Sequence, residues 1–278
     1  MHLPRSARAI LGPAGFLSLL LVTAPSAALP QQGDWQSLSE QFGALYQKGQ
    51  YRQAIGVAER ALRAAELSFG PNDPRLVTTL NALAVVHNAL KNFDAAQPYL
   101  DRALGIAEKF SGPDRKELAR VLNTLGMNYN GRQRFAEAQD TYERALGIAQ
   151  GAFGPKDEMV GTILNNFGQV FNDQQRYNEA GPYYERALEV MEDAVSPWDP
   201  RLALTLNNLA FVRKEEGGYD EAMILYERSL GILERALGEH VYVAAVLENL
   251  AKLYDLKGWK KEAAETALRA RRMRARIG

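Results

Sequence analysis

Apolar residues recur along this chain with two superposed periods. Over short windows they fall at i, i+3, i+4 and i+7. Leu122, Leu125, Gly126 and Tyr129 form one such stripe, with a small residue where a second helix must come close. Ala138, Tyr142, Ala145 and Leu146 form the matching stripe further along. Each stripe predicts an amphipathic helix. The intervening "NGRQRF" is too short for anything but a tight antiparallel turn, and no window sustains the alternation of a strand. The pattern predicts an all-α chain.

The longer period is 42 residues. Leu80, Leu122, Leu164 and Leu206 open the phrases LNALA, LNTLG, LNNFG and LNNLA, and LENLA follows from Leu247 after a one-residue contraction. Phe93, Phe135, Tyr177 and Tyr219 each stand three residues before an alanine, at Ala96, Ala138, Ala180 and Ala222. "ERAL" or a close relative comes next in each unit, and a breaker such as "FGPNDP", "FSGPD", "FGPKD" or "SPWDP" ends it. A fixed period of this length means stacked copies of one helix pair, because a single pair cannot bury its apolar stripes alone.

Leu122-x-x-Leu125-Gly126-x-x-Tyr129, Ala138-x-x-x-Tyr142 and Ala145-Leu146 resemble the tetratricopeptide repeat. The 42-residue period with "LNNLA", "ERAL" and "GPxD" is similar to the variety found in kinesin light chains and many bacterial proteins. The resemblance implies a right-handed superhelical solenoid of about six antiparallel helix pairs. A single domain over residues 34–278 is expected, with repeats near 34–74, 75–116, 117–158, 159–200, 201–242 and 243–278. It also implies that first helices line a concave side and second helices a convex one. Three departures stand out. The prolines at Pro71, Pro113, Pro155 and Pro197 come later than is usual in the family, which predicts longer second helices. His87 and Arg213 replace the aromatic found at Tyr129. The last unit, with Arg271 where leucine recurs elsewhere, is atypical in the way a capping repeat should be.

Asparagine disfavours helix interiors, yet it recurs in the first helices. At 100° per residue, Asn123, Met127 and Asn130 lie on a strip roughly a third of a turn from the Leu122/Tyr129 stripe. Asn81, Val85 and Asn88 occupy the same strip in one unit, Asn165, Gln169 and Asn172 in another, and Asn207, Phe211 and Lys214 in a third. With the family's orientation these residues face the groove. Each Asn costs roughly 0.5 kcal/mol of helix propensity against alanine, so the recurrence calls for a reason. Two readings stay open. The amides hydrogen-bond the backbone of an extended peptide, with Val85, Met127 and Phe211 as apolar footholds, or they pair between neighbouring helices and lock adjacent repeats.

Composition narrows the rest. Of 278 residues 46% are apolar and 24% charged, a globular balance. The basic start at Arg5 and Arg8, the apolar run Ala9 to Val22 and small residues at 26–28 read as a leader, residues 1–28, removed on export. The mature chain is then expected to be secreted, periplasmic if bacterial, with no further membrane span. The absence of cysteine excludes disulfides and thiol chemistry, and the even charge balance argues against nucleic acid. His87 falls on the core stripe, where a buried hydrogen-bonded histidine is expected rather than a ligand. "GMNYNGRQ" lacks the Lys-Ser/Thr pair of a phosphate loop. The basic stretch "RALRARRMRARIG" has too weak an apolar face to enter a bilayer and suits a capping helix. No catalytic, metal or cofactor signal is found. The expected function is a module binding a protein or extended peptide in the groove; the alternatives are a self-associating scaffold and an accessory subunit of an envelope enzyme.

Overall fold

The computed structural model describes residues 32–110 and 115–277; the expected leader, residues 1–28, and Pro113 lie outside the described residues. Twelve α-helices and no strand occur among the described residues. They are α1 (Gln32–Gln47), α2 (Tyr51–Phe69), α3 (Leu76–Ala89), α4 (Phe93–Phe110), α5 (Lys116–Gly131), α6 (Phe135–Phe153), α7 (Glu158–Asp173), α8 (Tyr177–Ala194), α9 (Pro200–Glu215), α10 (Tyr219–Leu237), α11 (Val241–Leu256) and α12 (Lys260–Ile277). First helices run 14 to 16 residues and second helices 18 or 19, the lengthening that the late prolines predict.

The chain divides into two compact units, an N-terminal one ending at Pro155 and a C-terminal one beginning at Lys156. Each holds three helix pairs. In the N-terminal unit α1 packs on α2, α3 on α4 and α5 on α6, and the pairs stack through α2 on α3, α4 on α5 and α3 on α5. In the C-terminal unit the same pattern runs from α7 to α12, with α9 touching both α7 and α11. Every turn inside a pair is reversed by one residue with positive φ. Gly49, Gly217 and Gly258 do this at φ 70°, 86° and 78°, and Lys91, Gln133 and Gln175 at 60°, 61° and 63°.

Close packing within a pair explains the small residue of the first-helix stripe. A Cβ added at Gly126 would lie 2.7 Å from ring carbons of Tyr142, and one at Gly168 would lie 3.0 Å from the ring of Tyr184. Glycine therefore lets the first helix rest directly on a tyrosine face. The tyrosines themselves, Tyr142, Tyr184 and Tyr226, are fully buried. In the C-terminal unit one continuous core joins Met191, Leu202, Leu206, Leu233, Val246 and Met273 across all its later helices.

The breaker segments also cap. Asp157 and Asp199 accept from the backbone N–H of Met159 and Arg201, each at 2.8 Å. Before α11 the cap is His240, whose Nδ1 accepts from the Tyr242 N–H at 3.2 Å. Only the neutral imidazole can accept there, and burial holds the His240 pKa below its ordinary value. The cap's contribution is therefore complete above the unfolded-state pKa, about 6.5, and is lost as pH falls through the lower folded-state value. We predict that His240→Asn, which keeps an acceptor at every pH, removes about 1 kcal/mol of acid-side stability loss. Urea unfolding between pH 7 and pH 5 measures it. Identical pH slopes for the two proteins would refute a capping role for His240.

Candidate functional site

The strip residues sit where the helical wheel places them, but most are buried. Asn81, Val85, Asn88, Asn123, Met127, Gln169, Asn172 and Asn207 are buried, while Asn130, Asn165, Phe211 and Lys214 are half-buried. First helices that carry the strip touch directly: α3 meets α5, and α9 meets α7 and also α11.

In the C-terminal unit the amides form a chain. Asn165 Nδ2 donates to Asn166 Oδ1 at 3.5 Å, and Asn165 Oδ1 accepts from Asn208 Nδ2 at 3.1 Å. Asn207 Nδ2 then donates to Asn208 Oδ1 at 3.4 Å, and Asn207 Oδ1 accepts from Asn249 Nδ2 at 3.1 Å. The short links are those that cross from one first helix to the next. They run from the third residue of each LNN or LEN phrase back to the second residue of the phrase before it. Arg201 adds a tie of the same sense, reaching Glu158 on α7 at 2.8 Å while also holding Asp199. Burial opposes the Asp199 carboxylate, yet the Arg201 guanidinium and backbone N–H outweigh it and keep its pKa below the ordinary range.

The N-terminal unit uses other atoms. Asn88 Nδ2 donates to the Thr124 carbonyl at 3.2 Å, and Asn128 Nδ2 donates to Asn88 Oδ1 at 2.9 Å and to the Phe93 carbonyl at 2.8 Å. Asn128, fully buried, is a residue that the strip pattern misses. The sequence does carry a signal for it: it is polar in a column otherwise filled by Val86, Val170 and Val212. Among the described residues Asn81 has no cross-helix partner, because Thr124 stands where the later phrases carry asparagine and its hydroxyl donates to the Arg120 carbonyl instead.

The strip amides of Asn81 and Asn172 each keep an unused acceptor. Asn81 Oδ1 and Asn172 Oδ1 are buried without a hydrogen-bond donor among the described residues. A buried carbonyl oxygen left so costs about 1 to 3 kcal/mol. Phe211 stands 6.0 Å edge-on from Tyr177, with the Lys214 ammonium 4.5 Å from its ring centroid.

Gln169 shows how the strip couples to the core beneath. It donates to Asp173 at 2.7 Å and accepts from the Tyr184 hydroxyl at 3.2 Å. One repeat later Phe211 occupies that column, and the buried Tyr226 hydroxyl has no partner among the described residues. Burial, with Glu215 adding to it, raises the Tyr226 pKa, so the phenol stays neutral. Opposite effects of one substitution follow. Tyr226→Phe should stabilise the chain by up to about 1 kcal/mol, and Tyr184→Phe should destabilise it by about the same amount. Thermal unfolding of both variants checks this; equal shifts in the same direction would contradict it.

His87 differs from expectation. It is half-buried, and its Nδ1 has no hydrogen-bond partner among the described residues. The physical reason is its neighbour: α4 offers a ring rather than an acceptor, and Tyr99 stacks on the imidazole at 5.7 Å and 15°. Burial lowers the His87 pKa, partly offset by Glu59. Among the described residues no group of His, Asp and Glu is placed to hold a metal, and no helix is long and apolar enough to cross a membrane.

The tetratricopeptide repeat model matches residues 41–109, 76–150, 117–193 and 201–276. No curated protein matches the sequence. Among solved structures, the chain is similar to BtubC (BKLC) from P. vanneervenii at 22% identity and TM-score 0.65, covering 90% of this chain and 93% of that one. A putative kinesin light chain of Podosopora anserina with nearly identical TPR-like repeats aligns at 18% identity and TM-score 0.59, covering 73% and 97%. A Rap protein complexed with Competence and Sporulation Factor aligns at 16% identity and TM-score 0.66, covering 90% and 77%. At these identities the likeness concerns the fold.

Proposed function

We propose that this chain, which belongs to the tetratricopeptide repeat family, is an exported protein-interaction module that takes an extended segment of a protein partner along its first-helix strip. The fold is one typical of protein–protein interaction. The observation that carries the finer reading is that each unit holds a strip oxygen, Asn81 Oδ1 in the N-terminal one and Asn172 Oδ1 in the C-terminal one, buried and lacking a donor among the described residues. An extended segment presents backbone N–H groups at regular intervals, which is the chemistry those oxygens call for. The chained amides play a different part, since Asn165, Asn207, Asn208 and Asn249 hold neighbouring first helices together.

A single experiment separates the two sets. Exported wild-type protein and an Asn81→Ala/Asn172→Ala variant are crosslinked in their native compartment and the captured proteins identified by mass spectrometry. Capture should fall at least tenfold with the melting temperature unchanged or raised, because neither oxygen has a donor to lose among the described residues. Undiminished capture would overturn the reading. Export is tested by fractionating cells expressing the chain with and without residues 1–28; equal distribution would remove that part.

End-to-end self-association is the weaker reading. In α8 and α10, Leu188 and Leu230 pack against the core, and Met191 and Leu233 lie buried in it. The corresponding α12 residues are Arg271 and Arg274, and Arg274 turns back onto Glu248 at 2.8 Å. Such an end resists addition of a further apolar pair.

A further inference from the structure

We infer that Phe211 determines specificity in the strip of the C-terminal unit, where it reads a large uncharged apolar side chain of the bound segment. That role rests on the strip binding a partner segment at all. The fold bears a cost for this one residue. In α7 the same column holds Gln169, whose Oε1 accepts from the Tyr184 hydroxyl at 3.2 Å. A glutamine at 211 would offer Tyr226 the same acceptor. Phenylalanine offers none, and the buried Tyr226 hydroxyl has no partner among the described residues. A buried polar atom left unpaired destabilises the chain. Departures of this kind from a locally consistent sequence are expected where function asks for the residue.

Phe211 is also placed to touch a ligand. Val85, Met127 and Gln169 of the column are buried, whereas Phe211 is half-buried, so part of its ring keeps contact with solvent. Two neighbours hold that ring. Tyr177 stands at 6.0 Å and 68° to it, and the Lys214 ammonium lies 4.5 Å from its centroid. The ammonium is already neutralised, because Lys214 also pairs with Glu215. The notch therefore presents aromatic surface without net charge, which suits an apolar side chain and gives a carboxylate no free counter-ion. Within the C-terminal unit the column reads Gln169, Phe211 and Lys252, so one apolar position is set between two polar ones.

The probe is a phage-displayed library of random linear peptides, panned on the full chain. Selected peptides whose binding Asn172→Ala weakens report on the strip, and these should share a large apolar residue at one position. Their affinity should fall at least about tenfold with Phe211→Gln and less than about threefold with Phe211→Met, which keeps an apolar surface. Changing the shared apolar residue of the peptide to serine should remove the difference between wild type and Phe211→Gln. Melting temperatures report the cost to the fold. Phe211→Gln should be at least about 2 °C less damaging in the wild-type background than in Tyr226→Phe, because only the former has a hydroxyl to satisfy. Equal melting effects in both backgrounds, or strip peptides that bind Phe211→Gln as tightly as wild type, overturn the role of Phe211 and leave the strip as a binding face. If Asn172→Ala weakens no selected peptide, the strip fails as a binding face and the role of Phe211 falls with it.

Discussion

Gly126→Val should lower the unfolding free energy by about 3 kcal/mol, the upper part of the range for overpacking a filled interior. The first added carbon already lies 2.7 Å from the Tyr142 ring, and the ring is fully buried, so it has no free space to swing into. Helix propensity works in the opposite direction, since glycine is worse than valine in a helix by a few tenths of a kcal/mol, and cannot offset the clash. A compensating pair already exists in the same chain. Between α3 and α4 the corresponding residues are Ala84 and Leu100, both fully buried. Gly126→Ala combined with Tyr142→Leu should therefore recover most of what Tyr142→Leu alone loses. Urea midpoints of the two single variants and the double variant test this. Additive losses would mean that the glycine is not there to make room for the ring.

Asn208→Ala should be the second large loss, about 2 to 4 kcal/mol. The substitution strands two partners at once: Asn165 Oδ1 loses its donor across to α9, and Asn207 Nδ2 loses its acceptor. Each buried polar atom left unpaired costs about 1 to 3 kcal/mol. Asn208→Leu should be no better, because its own shape would be filled while the neighbours stay unsatisfied. Asn172→Ala, on the neighbouring first helix α7, removes an oxygen that has no donor among the described residues and should leave stability unchanged or raised. The contrast between two buried asparagines of similar exposure makes the effect specific to the hydrogen-bond chain. Similar losses from both would point to packing instead.

Much of the fold can be read from the letters, because a 42-residue period of paired stripes has few ways to bury itself. The helix pairs, the small residue at Gly126 and Gly168, the longer second helices and the atypical last unit all follow from columns that recur. The asparagine strip is legible as a strip. Its partners are less so, although LNNFG, LNNLA and LENLA display Asn166, Asn208 and Asn249 openly. Which amide meets which depends on the rotation of one first helix against the next, and wheel geometry within a helix carries no information about that. The same limit hides the Tyr226 hydroxyl, which becomes an orphan only because Phe211 replaces glutamine in a neighbouring helix. His87 reads as a core histidine in the sequence and is half-buried on a tyrosine ring in the fold, a consequence of Tyr99 lying across from it on α4.

The surface ion pairs illustrate a different kind of information. Exposed pairs contribute little stability individually, commonly under about 1 kcal/mol. Their value lies in register: the repeated spacing from glutamate to arginine states how one second helix follows another.

In the C-terminal unit the strip amides of Asn165 and Asn207 are bonded across to Asn208 and Asn249 of the following first helices, and the locking role of the strip rests on those bonds. A double-mutant cycle on Asn165→Ala and Asn208→Ala reads it without an intermediary, by urea unfolding of the wild type, both single variants and the double variant. A coupling energy of about 1 kcal/mol or more is expected between these residues, with the double variant losing less than the sum of the singles. Strict additivity within about 0.3 kcal/mol would show that the two amides do not hold each other.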